Sequence, residues 1–81
     1  MWHLYILKCK DGVFYTGVTN NLERRLSEHE KGKGGYYTRY HPPQELVYCE
    51  IFKTELLAQE REFQIKRWSR EKKLALIQND F

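Results

Sequence analysis

The stretch LYILKCKDGVFYTGVT, residues 4–19, decides how this chain folds. Two runs rich in aromatic and β-branched residues flank KDG, the composition of two strands joined by a tight turn. Turn length fixes which side chains share a face, because side chains alternate along a strand and cross-strand partners point the same way. A two-residue turn of Asp11 and Gly12 pairs Lys10 with Val13 and puts Tyr5 and Tyr15 on opposite faces. A three-residue turn, closed by Gly12 in the left-handed conformation, pairs Cys9 with Val13, Leu7 with Tyr15 and Tyr5 with Gly17. Both phenols then share one face. We favour this register, which also gives Gly17 a purpose: without a side chain it leaves an opening beside Tyr5 where a ligand can approach the backbone.

Outward from the hairpin, NNLERRLSEHEKGKG offers Asn20 or Asn21 as a helix N-cap, Leu22 and Leu26 at helical spacing, and Gly32 just past the end. This predicts a helix over about residues 21–31. In KGKGGYYTRYHPP, glycines and paired prolines exclude a long regular element, and positive charge meets tyrosines. ELVYCEIF, residues 45–52, alternates as a third strand, and Thr54 caps a helix ELLAQEREFQIKRW that Ser69 breaks. REKKLALIQNDF forms a last short helix with Leu74 and Ile77 facing inward. The order is ββαβαα, and without repeat or linker it predicts one domain over residues 1–81.

A chain of 81 residues buries only about 60–70% of the surface that its unfolded form exposes. Its formal net charge of +3 and pI near 8.9 permit an anionic partner without requiring one. Cys9 and Cys49 sit in apolar runs without a Cys or His at ligand spacing, which predicts two buried free thiols rather than zinc. No basic leader precedes the first apolar run and no stretch is long enough to span a bilayer. A soluble, cytoplasmic protein with no membrane partner is the expectation.

Arg25 and His29 are four residues apart and share a helix face, while Leu22 and Leu26 supply the core-facing stripe. Arg24 and Glu28 have the spacing of a solvated surface pair. On the second helix, Leu57, Ala58, Ile65 and Trp68 fall on one side and Glu62 at its edge, with Glu60 pointing away. A carboxylate placed like Glu62 needs an arginine, a hydrogen-bond donor or a metal ion; Arg25 and Arg61 are the ion-pair candidates.

Together these residues resemble the GIY-YIG nuclease superfamily over nearly the whole chain. The first half-motif stands as His3-Leu4-Tyr5 and the second as Tyr15-Thr16-Gly17, with a short hairpin between. NNLERRLSEH is similar to the family's next helix, whose catalytic arginine falls on Arg25, with His29 one turn later. AQEREFQIKRW is similar to the segment whose metal-binding glutamate falls on Glu62, and KRWSREKKLALI looks like the ending of the small stand-alone bacterial group. His3 stands where the family's nominal glycine would be, and Leu4 in place of isoleucine.

The resemblance implies an α+β fold, a three-stranded antiparallel sheet flanked by helices, and a metal-dependent endonuclease hydrolysing DNA. One Mg2+ or Mn2+ ion would be held by Glu62 and bound weakly without nucleic acid. Arg25 would grip the phosphate, and Tyr5 would orient or deprotonate the attacking water, its pKa lowered by Arg25 and metal. Tyr15 would hydrogen-bond phosphate or Tyr5, and His29 would position a water or relay a proton. Gly17, Lys31, Lys33, Tyr37 and Arg39 would meet the nucleic acid, the last four by tracking phosphates or stacking on bases; the rival reading of KGKGGYYTRYH is a solvated loop whose tyrosines cover the small core. DNA is the expected partner, with RNA left open, along with a protein partner that supplies specificity. So small a chain reads few base edges, so DNA shape would guide it. The alternative is a nucleic-acid-binding module that keeps the fold and cleaves little.

Overall fold

A computed structural model describes residues 1–33 and 42–78. The chain runs β1 (Trp2–Cys9), β2 (Phe14–Thr19), α1 (Leu22–Glu30), β3 (Pro43–Phe52), α2 (Glu55–Lys66) and α3 (Arg70–Ile77). This is the expected ββαβαα order. The strands form an antiparallel sheet in the order β2-β1-β3.

The hairpin takes the three-residue turn. Gly12 has φ +85°, the Cys9 and Gly12 amides donate to the carbonyls of Val13 and Cys9, and Tyr5 pairs with Gly17 and Leu7 with Tyr15. β3 starts two residues earlier than the pattern suggested, because Pro43 can open a strand, where its missing N–H costs nothing. Its pairing with β1 shifts register between Ile6 and Leu7 and again between Lys8 and Cys9.

Each helix begins where a side chain satisfies an otherwise orphaned amide. The Asn21 side chain accepts from the Arg24 amide, Thr54 from Leu57, and Ser69 from Lys72. Thus Asn21, not Asn20, caps α1, and Ser69 both ends one helical run and starts the next.

Alternation divides the sheet into two faces. Leu4 and Ile6 point to one, where they are fully buried with Ile65 of α2 and Leu76 of α3, and Phe14, Val47, Tyr48, Phe52, Trp68 and Ile77 pack around them. Tyr5 points to the other, against His29 of α1. Three expectations change. Leu57 is largely exposed, Ala58 and Ile65 alone being buried in α2. In α3 the buried residue is Leu76; Ile77 packs on the core and Leu74 is half-buried. Cys9 is buried as expected, but Cys49 is exposed, on the Tyr5 side of edge strand β3.

Candidate functional site

On the face away from the Leu4–Ile6 core, three rings converge. Tyr5 and Tyr15 lie 6.3 Å apart between centroids, and His29 lies 5.8 Å from Tyr5 and 5.2 Å from Tyr15, edge-on to both. The register puts the two phenols on one face, and α1 lays His29 across them; His29 is the buried residue of that helix.

Gly17 makes this cluster possible in a way other than the one expected. A Cβ at position 17 would lie 2.5 Å from Tyr5 Oη and 2.6 Å from Tyr5 Cζ. The space beside Gly17 is therefore filled by the Tyr5 ring itself, not left open for a ligand. Gly17 is not a turn residue and, unlike Gly12 and Gly32, has no positive φ, so its lack of a side chain, not its backbone freedom, is what the site uses.

Tyr5 Oη lies 2.9 Å from His29 Nε2 and is also hydrogen-bonded to Arg25. Arginine can only donate, so the phenolic oxygen accepts from Arg25, while the direction of its bond with His29 Nε2 is set by the histidine tautomer. In the neutral Nδ1-H tautomer Nε2 accepts the Tyr5 proton, and in the Nε2-H tautomer it donates to the phenolic oxygen. Burial, followed by the positive charge of Arg25, holds His29 below the usual histidine value, with Glu28 opposing. Burial also pushes Tyr5 up to about 12, with Tyr15 and Glu62 adding to it, against the hydrogen bond and charge of Arg25. Arg25 is present, but the lowering of Tyr5 expected from it is outweighed by desolvation.

Arg25 also reaches Glu28, with Nη1 3.5 Å from Oε1. The pairing anticipated for Arg24 thus belongs to its neighbour. Glu62, on α2, is largely shielded, and its charge is felt at Tyr5. Its ion-pair partner is Lys66 at 3.2 Å, one turn on, and neither Arg25 nor Arg61. The E-to-K order at i,i+4 is the signal in the sequence for this pair.

Arg61 is engaged on the other face. Its Nε and Nη2 donate to the two Glu50 carboxylate oxygens at 3.0 and 3.1 Å, Tyr48 donates its hydroxyl to the same carboxylate, and the guanidinium lies 5.1 Å over Trp68. Lys31 and Lys33 are exposed and line a cleft of about 460 Å³ with Arg24, Ser27 and Glu28, outside the ring cluster. Tyr37 and Arg39 lie outside the described residues.

Among the described residues no cluster of three His, Cys, Asp or Glu side chains is placed to hold a metal ion. A dedicated all-protein cage is therefore absent there. A lone carboxylate such as Glu62 fits an ion like magnesium, which keeps several waters and shares a substrate phosphate. Among the same residues no helix is long and apolar enough to cross a membrane.

Comparison with known proteins agrees with this fold. The GIY-YIG catalytic domain model matches residues 1–75. A UPF0213 protein of Clostridium perfringens is 52% identical over 95% of this chain and 83% of its own length. One from Staphylococcus saprophyticus is 48% identical over 93% of this chain and 92% of its own. The solution NMR structure of a UPF0213 protein from Bacillus halodurans superimposes with a TM-score of 0.62 at 42% identity, covering 96% of this chain and 84% of that one.

Proposed function

Because the chain belongs to the GIY-YIG nuclease superfamily, and is similar to its small UPF0213 members, we propose that it is a metal-dependent endonuclease hydrolysing DNA phosphodiester bonds. The observation that carries this reading is Tyr5 Oη, held between Arg25 and His29 Nε2 within reach of the Glu62 charge. Few structural needs explain a buried phenol bonded to an imidazole beside a cation.

In this reading the Tyr5 oxygen accepts a proton from the attacking water while its own proton passes to His29 Nε2. The depressed pKa of His29 keeps it neutral and able to accept near pH 7. Arg25 meets the phosphate through its planar fork, exchanging Glu28 for phosphate oxygens. Tyr15, packed on both Tyr5 and His29, fixes the ring geometry and turns its hydroxyl toward the phosphate or Tyr5. Glu62 would hold Mg2+ or Mn2+, which when bound supplies charge neutralisation at the phosphate and the leaving oxygen. Lys31 and Lys33 would meet backbone phosphates beyond the scissile one.

The test is cleavage of single-stranded, duplex, nicked and branched DNAs with magnesium or manganese by the natural protein and by Glu62→Ala. Metal-dependent cleavage that disappears in the variant, with DNA binding retained, supports the reading. Equal cleavage by both after rigorous purification removes Glu62 from the chemistry. Binding without cleavage by either leaves a nucleic-acid-binding module.

A further inference from the structure

The positive charge of this chain is not centred on the ring cluster. Residues 61–73 carry six basic side chains against two carboxylates, an excess of four in a chain whose whole net charge is +3. Arg61 is occupied by Glu50 and Lys66 by Glu62. Three of the other four are held by different partners. Arg67 lies 5.5 Å over Phe63, and the Lys72 ammonium 4.4 Å over Trp68. Arg70 lies 4.8 Å over Phe14 and donates to the Gly12 carbonyl. Among the described residues none of these three forms an ion pair with a carboxylate. A cation resting on a ring keeps its charge and loses part of its conformational freedom, so less entropy is spent when it meets an anion. Arg67, Trp68, Lys72 and Gln64 line an open cleft of about 490 Å³ at this corner.

The cleft lies where α2 hands over to α3. Trp68, in its floor, packs on the Leu4–Ile6 core, on the opposite side of the sheet from Tyr5 and His29. The basic residues that follow Glu62 begin at Lys66, one helical turn on, and continue to the α2–α3 corner. The molecule measures only 32 × 28 × 18 Å. Duplex DNA, with a persistence length of about 50 nm, cannot follow so small a body from one face to the other. A single strand can.

We propose that the α2–α3 corner binds a single-stranded arm of the nucleic acid whose reacting phosphate lies at the Tyr5 cluster, with Arg67, Arg70 and Lys72 on its phosphates. The proposal rests on the nuclease reading and narrows it: the preferred substrate is a duplex carrying a single-stranded tail or flap, not a blunt duplex. Lys72 and Arg67 supply charge at the cleft, while the ring of Trp68 serves as the support for Lys72, not as a stacking surface.

The test is equilibrium binding, without divalent metal, of labelled blunt duplex and of the same duplex with a single-stranded tail. The natural protein is compared with Arg67→Glu/Lys72→Glu, and Lys10→Glu/Lys53→Glu serves as a control of equal charge change on exposed lysines elsewhere. The natural protein should prefer the tailed DNA, and the corner variant should lose about tenfold or more on it, abolishing the preference. Its salt dependence for tailed DNA should flatten by roughly 1.4 in slope, two single-strand phosphate contacts. The milder Arg67→Gln/Lys72→Gln, which introduces no like charges, should lie between. Equal losses in corner and control variants, or a natural protein that binds blunt and tailed DNA alike, would overturn the proposal while leaving the nuclease reading standing. A natural protein that binds none of these DNAs overturns both.

Discussion

Replacing Gly17 by alanine is the most direct probe of how the fold builds the site. The added Cβ would lie 2.5 Å from Tyr5 Oη, 2.6 Å from Cζ and 3.0 Å from Cε1. Position 17 has no positive φ, so alanine fits the backbone and the cost comes from the clash alone. The Tyr5 ring must move, but it is 1% exposed and boxed in by His29 and Tyr15. Overpacking of this kind costs about 1–3 kcal/mol, and loss of the 2.9 Å bond to His29 adds about 0.5–1.5 kcal/mol. A loss of about 2 kcal/mol corresponds to a fall of roughly 8–16 °C in Tm for a domain of this size. The assay is thermal unfolding followed by circular dichroism, run as a double-mutant cycle with Tyr5→Leu, which removes the atoms that clash. In the Tyr5→Leu background Gly17→Ala should cost nothing, or stabilise slightly by restricting the unfolded chain. Tyr5→Phe should not rescue, because Cζ remains. An equal cost of Gly17→Ala in all three backgrounds would falsify the reasoning.

Acid should destabilise the protein through His29. Its folded pKa lies below its unfolded value of about 6.5, so the unfolded chain takes up the proton first, and stability present above that value is lost as pH falls below it. Tm measured from pH 8 to 5 should fall less steeply in His29→Gln. At the alkaline end Tyr5 and Tyr48 hold their protons up to about 12, whereas an unfolded tyrosine releases its own near 10, so stability should fall between about pH 10 and 12. Phenolate absorbance, followed alongside ellipticity, should then rise together with unfolding. Arg61→Met removes both hydrogen bonds to Glu50 and leaves that carboxylate half-buried beside Tyr48, which should cost about 1–3 kcal/mol in denaturant unfolding. Glu62→Ala breaks only an i,i+4 pair with a half-exposed lysine, so its unfolding midpoint should move by no more than about 0.5 kcal/mol. A large loss there would mean that Glu62 is structural.

The hairpin was legible because a single choice, turn length, propagates along it. Once Gly12 closes a three-residue loop, the pairing of Tyr5 with Gly17 and of Leu7 with Tyr15 follows. The helix starts were legible for a similar reason, since Asn21, Thr54 and Ser69 each act on the amide three residues away. β3 was not. Its apolar residues occupy both phases of the alternation, and the structure turns Cys49 and Ile51 outward while the charged Glu50 faces the core side. Only the distant Arg61 and Tyr48, which satisfy that carboxylate, make the phase intelligible. The site divides likewise. That Tyr5, Tyr15 and His29 meet follows from register and helix spacing, but which acid Arg25 pairs with depends on side-chain reach, and Glu28 beat Glu62 by proximity on the same helix.

Burial has opposite consequences for the two partners of the central hydrogen bond. A phenol with a pKa near 12 is ionised in roughly one molecule in 10⁵ at pH 7. A mechanism that waited for free phenolate would therefore give up about 7 kcal/mol before reaction began. The same loss of water holds His29 neutral, and in its Nδ1-H tautomer Nε2 can take the Tyr5 proton. On the proposed reading, then, Tyr5 need never ionise in advance. It can pass its proton to the imidazole as it receives one, and Arg25, donating to the same oxygen, stabilises charge that develops there. Tyr5 and His29 would behave as one unit, so removing the second after the first should cost little more. Gly17 is what lets the phenol lie deep enough for that unit to form.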